Sequence, residues 1–431
     1  MTVIDSCAHT VGYPLPDDAA TSKSQTIFNP EARQTVVNVL NSLHPELKDI
    51  SDYLHANPEL AWNETKAHHK ITNYLTTKGY TVTDVSEYPT AFRVAHSRGN
   101  GGPVFGLNSE YDALPGIGHA CGHNLIAICG IGAFLAVAAA MDKHNIEGTV
   151  VLIGTPAEEK GSGKIDLLKA GAYKDLEACM MLHPAKGPMT GTGAAVVGTF
   201  ALRHLTIEYF GKPAHAGMAP WEGVNALDAA TIAYASISAL RQQLKSETRV
   251  HGVITDGGSA PNVIPAHTEL KYIVRATTDK EVGKTLDKVV ACFEGAAQVS
   301  GCKVKISVTD PVAELRNERT LATEFAHVMQ DVFGAKVILA LDKPYGGSTD
   351  FGNVTHVLPG CHPVFNIEAD GLNHTPDLRF TAGAGSADSV AEAIKHTIGM
   401  ACTGMRFLAD PEFATQVKRS WESMMTKVNI E

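Results

Sequence analysis

The sequence predicts an α/β protein: a mostly parallel sheet covered by helices, interrupted by an inserted ferredoxin-like α+β domain. Three observations predict it. Short apolar runs that break into polar loops recur at 103–115, 148–163, 177–185 and 362–377, with helical stretches between them. Continuous apolar strands of this kind belong to parallel sheets buried on both faces. The middle of the chain instead alternates apolar and polar residues, in the order strand, helix, strand, strand, helix, strand, which is the split β-α-β motif. At 431 residues, the chain exceeds what a single ordinary core uses, so two or three domains are expected.

Taken in order, residues 1–30 are polar and form a lead-in. Their first stretch, MTVIDSCAHTVGYPLPDD, has no charged segment followed by an apolar one, so no secretory leader is expected. Helical periodicity covers 31–57 and 65–79, with NPELAWNE as the turn and helix start between them. The run LIAICGIGAFLAVAAAM, 125–141, carries no charge. Its length falls just short of a membrane span and it is rich in Ala and Gly, so it is expected to be a helix buried in the core. The inserted domain spans 198–310: a strand at 198–211, a helix at 224–244, two strands flanking SAPNVIPA, a second helix and the strand CKVKISVTD. It divides the larger domain into 31–197 and 311–431, the latter closing with a helical tail.

Composition narrows the function. Apolar residues make up 44% and charged residues 19%, and the net charge is −10 with 36 scattered Lys and Arg. No basic stripe invites nucleic acid or an anionic membrane, which leaves a small molecule or peptide as the expected partner. The eight cysteines, at 7, 121, 129, 179, 292, 302, 361 and 402, form no CxxC pair. Such spacing in a long chain predicts reduced thiols and a cytoplasmic protein.

The four strand-end loops carry Glu110 and Asp112, then Glu158 and Glu159, then His183, then His374. Ligands of open α/β sheets bind beyond the carboxyl ends of the strands, so four distant segments can converge. GIGHACGHNLIA adds Cys121 and His123 at a helix start. A thiolate, imidazoles and a carboxylate suit Zn²⁺ and tolerate Mn²⁺. Five ligands (Cys121, His123, Glu159, His183 and His374) exceed one tetrahedral site and fit a pair of ions sharing a ligand, with Cys121 as the natural bridge. Glu158 is free to handle protons beside its ligating neighbour, and Asp112 can hold the remote N–H of a ligand histidine. His119 is read as loop structure. Each residue also has a plainer explanation: a lone histidine is more often core or surface, EE is usually a solvated face, and a cysteine beside a buried helix usually packs. A reactive thiol would not need the other three segments to converge on it.

HACGHN, TPAEEKGSG, LHP, GKPAHAG with EGVNAL, APNVIP, GGSTDFG and NHTPD together resemble the dinuclear metallopeptidases, the family of aminoacylase and glutamate carboxypeptidase. The Cys/His form is similar to its amidohydrolase branch, which includes hippurate hydrolase and indole-acetyl-amino-acid hydrolases, and YDALPGIGHACGHNLIA with STDFGNV is most similar to the Xaa-Arg/β-alanyl-lysine dipeptidase-like subgroup. The resemblance covers roughly 35–405. It implies that Cys121 bridges two divalent ions, zinc or manganese, with His123 and His183 completing one site and Glu159 and His374 the other. Glu158 would be the general base, taking a proton from the metal-bound water and passing it to the leaving amine. His215 would reach the partner subunit's site and stabilise the oxyanion, making a homodimer through the inserted domain part of the mechanism. Asn262 would bind the substrate's polar backbone or carboxylate, with Arg275 and the Gly346–Gly347 turn as further candidates. One departure is Ser348-Thr349-Asp350, where many relatives carry Ser-Glu-Asp.

The implied activity is metal-dependent hydrolysis of the amide bond of N-acyl amino acids or dipeptides with a free carboxylate. The same site could instead trim or condense an amide in a specialised-metabolite pathway. A non-catalytic binding protein would need neither the full metal set nor Glu158.

Overall fold

The computed structural model describes residues 28–85, 87–186, 193–344, 346–369 and 376–430. Its central sheet has six strands. The four at its heart, Gly148–Gly154, Val104–Ser109, Ala178–Met180 and Gly360–Cys361, run parallel in that spatial order. An antiparallel hairpin of Val82–Val85 and Tyr88–Arg98 extends the Gly148–Gly154 edge. This is the α/β class expected, with the hairpin as an addition that the apolar pattern did not announce.

The sheet is buried on both faces, which explains the uninterrupted apolar runs. Along Gly148–Gly154, Val150 and Leu152 join one core cluster while Val151 and Ile153 join another. On the first face lie the helices Pro30–Ala56, His123–His144, Arg319–Phe333 and Ala387–Ala409. His123–His144 is long and apolar enough to cross a membrane, yet 94% of its most apolar window is buried inside the protein. It is the core helix expected. The second face is covered by the short helices Gly163–Lys169 and Phe351–Thr355 and their neighbours.

A second four-stranded sheet holds Lys336–Pro344, Gly193–Gly198, Val364–Asn366 and His183–Ala185 in that order. The apolar run at 177–185 is therefore two strands in two sheets, Ala178–Met180 and His183–Ala185. The chain passes from one sheet to the other just before His183.

The inserted unit is an antiparallel sheet ordered Lys303–Val308, Ala201–Phe210, His267–Ala276, Arg249–Asp256. Helices Ala226–Leu240 and Asp279–Ser300 cover one face. The period-two pattern is explained directly: Leu205, Ile207, Tyr209, Leu270, Tyr272 and Val274 point to a separate core under these helices, and the residues between them face away.

Candidate metal centre

The site lies where the parallel strands end. Val104–Ser109 runs directly into Glu110 and Asp112, and Gly148–Gly154 into the loop bearing Glu158 and Glu159. Cys121 and His123 flank Gly122, which caps the core helix with φ 78°. A Cβ on Gly122 would stand 2.6 Å from Pro184 Cγ. Only glycine combines that left-handed turn with so close an approach to the segment carrying His183.

The two histidines are aimed by their remote nitrogens. His123 Nδ1–H donates to Asp112 Oδ1 at 3.0 Å, and Asp112 Oδ2 accepts the Glu159 N–H at 2.9 Å. One buried carboxylate thus orients an imidazole and fixes the backbone of the Glu158–Glu159 loop. His183 Nδ1–H donates to the Pro184 carbonyl at 2.6 Å. Both rings therefore present Nε2. Ligand atoms of Cys121, His123 and His183 lie within 4.8 Å of one another, as do those of His123, Glu158 and Glu159. The groups share His123, and the Cys121 thiol lies within electrostatic reach of Glu159.

The electrostatics are those of a cation site. Burial, then the charges of Glu110 and Glu159, pushes the Glu158 carboxyl well above its usual range. Burial also raises Glu159, against the pull of His123 and Cys121. Burial lowers the His183 imidazole to about 4, helped by His123, so it is a neutral donor at neutral pH. Burial opposes ionisation of Asp112, yet its hydrogen bond with His123 holds it below the usual range. Burial and the two neighbouring glutamates drive the Cys121 thiol up, the reverse of an activated nucleophile. His123 Nε2 is buried with no hydrogen-bond partner. Imidazole, thiol and carboxylate donors around such an atom fit a divalent metal ion, which would reverse these shifts.

The other expected residues fall elsewhere. His215 is exposed on the inserted domain, its Nδ1 accepting the Gly217 and Met218 amides at 3.2 Å. Asn262 lies beside it, its carbonyl taking the Ala216 N–H at 3.0 Å. Among the described residues, no hydrogen bond or ring contact joins either side chain to the cluster. Arg275 Nη1 donates to Ser348 Oγ at 3.0 Å, crossing from the inserted domain to the larger one. Burial lowers this guanidinium and the Glu158 charge raises it, so it lies in electrostatic reach of the cluster. The Gly347 carbonyl accepts the Phe200 N–H, and Gly346 has open space about its Cα. His119 is buried and bonds the Leu54 carbonyl through Nε2. His374 lies outside the described residues.

Sequence reasoning gave no role to three neighbours. Lys164, fully buried, donates to Glu110 Oε1 and, at 2.7 Å, to Asp350 Oδ1. His362 packs against the His183 ring at 5.7 Å with both its nitrogens unpartnered. Glu64 is fully buried beneath the Glu158 loop. The alternation of Glu110 and Asp112 after a strand was the one available signal; a buried lysine in GSGKIDLL and a buried histidine after Cys361 have none.

Comparison with known proteins adds three findings. The family model for peptidase family M20/M25/M40 matches residues 106–399. The chain is 38% identical over 388 residues to the Xaa-Arg dipeptidase of Mus musculus, covering 86% of this chain and 88% of that protein, and 32% identical over 297 residues to one of the p-aminobenzoyl-glutamate hydrolase subunits of Escherichia coli (strain K12), covering 63% and 60%. Among solved structures it is similar to a Bacillus subtilis protein described as a dinuclear metal binding peptidase from the M20 family, with a TM-score of 0.59 at 20% identity, covering 85% of this chain and 99% of that one.

Proposed function

The chain belongs to peptidase family M20/M25/M40 and is a hydrolase of amide bonds, and from that premise we propose that it cleaves dipeptides or N-acyl amino acids bearing a free carboxylate at a centre of two divalent ions, zinc or manganese. The observation that carries the proposal is the convergence of Cys121, His123, Glu158, Glu159 and His183 from distant segments around one unpartnered imidazole nitrogen. Cys121, His123, His183 and Glu159 would hold the ions, with His374 completing the set. When bound, the ions polarise the scissile carbonyl and acidify water.

The remaining work falls to this chain's own groups. Glu158 takes the proton of the attacking water and returns it to the leaving amine; its side chain is 14% exposed, open enough to meet both. Asp112 keeps His123 in the tautomer that offers Nε2. His215 supplies Nε2–H to the oxyanion across a homodimer, since its Nδ1 is already an acceptor. Exposed Trp221 and Met218 beside it support an interface there. Asn262, Arg275 and the Gly346–Gly347 turn receive the substrate's carboxylate end. The relatives named Xaa-Arg dipeptidase favour dipeptides as the first substrates to try. Free thiols at all seven described cysteines support a reduced, cytoplasmic setting.

The test pairs metal content with cleavage of a dipeptide and N-acyl amino acid panel. Near two ions per chain, with turnover lost on chelation and restored by Zn²⁺ or Mn²⁺, is expected. Glu158→Gln should keep its metal and lose about 10²- to 10⁴-fold in kcat. Cleavage that survives complete chelation refutes the metal reading, and full turnover in the Glu158 variant refutes the base.

A further inference from the structure

We propose that Glu110 is a further protein ligand of the metal centre, its Oε2 facing the ion held by His123 Nε2, and that Lys164, clamped by Asp350, keeps it there. The inference rests on the metal reading above and adds a residue that reading does not contain.

Glu110 is 1% exposed. Its Oε2 has no hydrogen-bond partner and stands 3.6 Å from His123 Nε2, which also has none. That separation is too long for a hydrogen bond. It is the spacing of two donors on one ion: ligands about 2.0–2.2 Å from zinc at tetrahedral angles stand roughly 3.3–3.6 Å apart. Glu159 and Glu158 come no closer to the same nitrogen, at 3.7 Å and 4.0 Å.

The carboxylate is also fixed in that aim. Its other oxygen, Oε1, is taken by the Lys164 ammonium. Asp350 holds Lys164 twice, by Oδ1 to Nζ at 2.7 Å and Oδ2 to the backbone N–H at 2.8 Å. Glu110 cannot turn away without abandoning a fully buried cation. Nor is it needed merely to neutralise that cation, since Asp350 already does so. A second carboxylate leaves a buried negative charge, and burying one without a partner is expensive. Across the site, Glu110, Asp112, Glu158 and Glu159 each place a carboxylate oxygen within 4.0 Å of a His123 ring nitrogen, and Glu110 and Asp350 hold the Lys164 ammonium.

The experiment titrates Zn²⁺ into chelator-stripped protein and reads stoichiometry and affinity rather than turnover. Wild type is compared with Glu110→Gln and with the double variant Glu110→Gln/Lys164→Met, in which the buried pair is replaced as a unit so that no ammonium is stranded. Both variants should bind one of the two ions about 10- to 100-fold more weakly, with unchanged circular dichroism. Wild-type affinity at both sites in either variant overturns the proposal and leaves the metal reading standing, while a wild-type protein that binds no zinc overturns both. A zinc-soaked crystal of wild type decides without any variant. Glu110 Oε2 about 2.0–2.2 Å from an ion supports the assignment, and an ion coordinated without it overturns it.

Discussion

Glu64 holds the Glu158–Glu159 loop in a backbone conformation that side-chain-bearing residues rarely adopt. Its Oε1 accepts the N–H of Ala157 at 2.9 Å and of Trp62 at 3.0 Å. Both residues lie in the left-handed region, at φ 62° and 64°, a strain of order 1–2 kcal/mol each. Ala157 immediately precedes Glu158, so this carboxylate helps set where the proposed base points. Burial raises the Glu64 carboxyl to about 7, its backbone hydrogen bonds opposing and the Asp112 charge adding. A raised carboxyl is protonated more readily folded than unfolded. Its contribution to stability is therefore complete below pH 4.5 and is lost as the pH rises through about 7. The shift is worth about 3 kcal/mol. Glu64→Gln keeps an acceptor for both amides and cannot titrate. Urea denaturation of chelated protein at pH 5 and pH 8 should show wild type losing about 2.5 kcal/mol more than the variant; equal losses would dismiss Glu64 as the titrating group. Nothing in NPELAWNE announces this role, because a capping glutamate and a buried one look alike until the loop it meets is placed. Cys121, His123, Glu158, Glu159 and His183 were legible because their residue types are distinctive and each follows or flanks an apolar run.

The element that carries His123 is positioned by its glycines as much as by its apolar surface. In His123–His144, a Cβ on Gly130 would meet Ser109 Oγ at 2.3 Å and the Asn108 carbonyl oxygen at 2.5 Å. The helix therefore rests directly on the strand whose next residue is Glu110, and this contact sets the depth of His123 against Asp112. Gly283, in the helix Asp279–Ser300, has nothing within 4 Å of where a Cβ would stand. Gly130→Ala should destabilise the protein by about 1–3 kcal/mol through overpacking, and Gly283→Ala should stabilise it by about 0.5–1 kcal/mol through helix propensity. Denaturation of both variants checks the pair, and equal effects would mean the helix can lift off its strand freely. The pattern of the sequence located this helix and its burial without difficulty. It did not separate Ala178–Met180 from His183–Ala185, because an apolar run has the same period whether it stays in one sheet or crosses to another. Gly193–Gly198 and Lys336–Pro344 went unassigned for a related reason: the first is short and built of small residues, the second is partly exposed along most of its length.

Across the whole molecule, the insertion of one domain into another was readable because the two sheets differ in period, two-sided burial in one and alternation in the other. How the domains meet was not, since the contacts that join them, among them Arg275 to Ser348 and the Asp279 N–H to Glu314, have no periodic signature. Arg275, on the inserted sheet, donates to Ser348 Oγ. Two residues on, Asp350 clamps Lys164 beneath the cluster, and the Thr349 hydroxyl accepts the Phe351 N–H at 3.2 Å where the short helix Phe351–Thr355 begins. A glutamate in place of Thr349 would add another carboxylate beside the buried Asp350 and Glu110 that hold Lys164, a charge that threonine does not bring. Arg275 can therefore act in two ways, as a tie between domains or as the group that receives a substrate carboxylate. A pair of substrates separates them: a dipeptide and the same dipeptide with its C-terminus amidated. If Arg275 receives the carboxylate, Arg275→Ala lowers kcat/KM for the free acid by about 10- to 100-fold, the worth of a hydrogen bond to a charged group, and leaves the amide's value near that of wild type. A tie alone predicts that both substrates fall together, because the geometry of the site then suffers whatever the substrate carries. The guanidinium is half-buried and within reach of the Glu158 charge, where an incoming carboxylate would find it already partly desolvated and strongly attracting. The expected outcome is the selective loss.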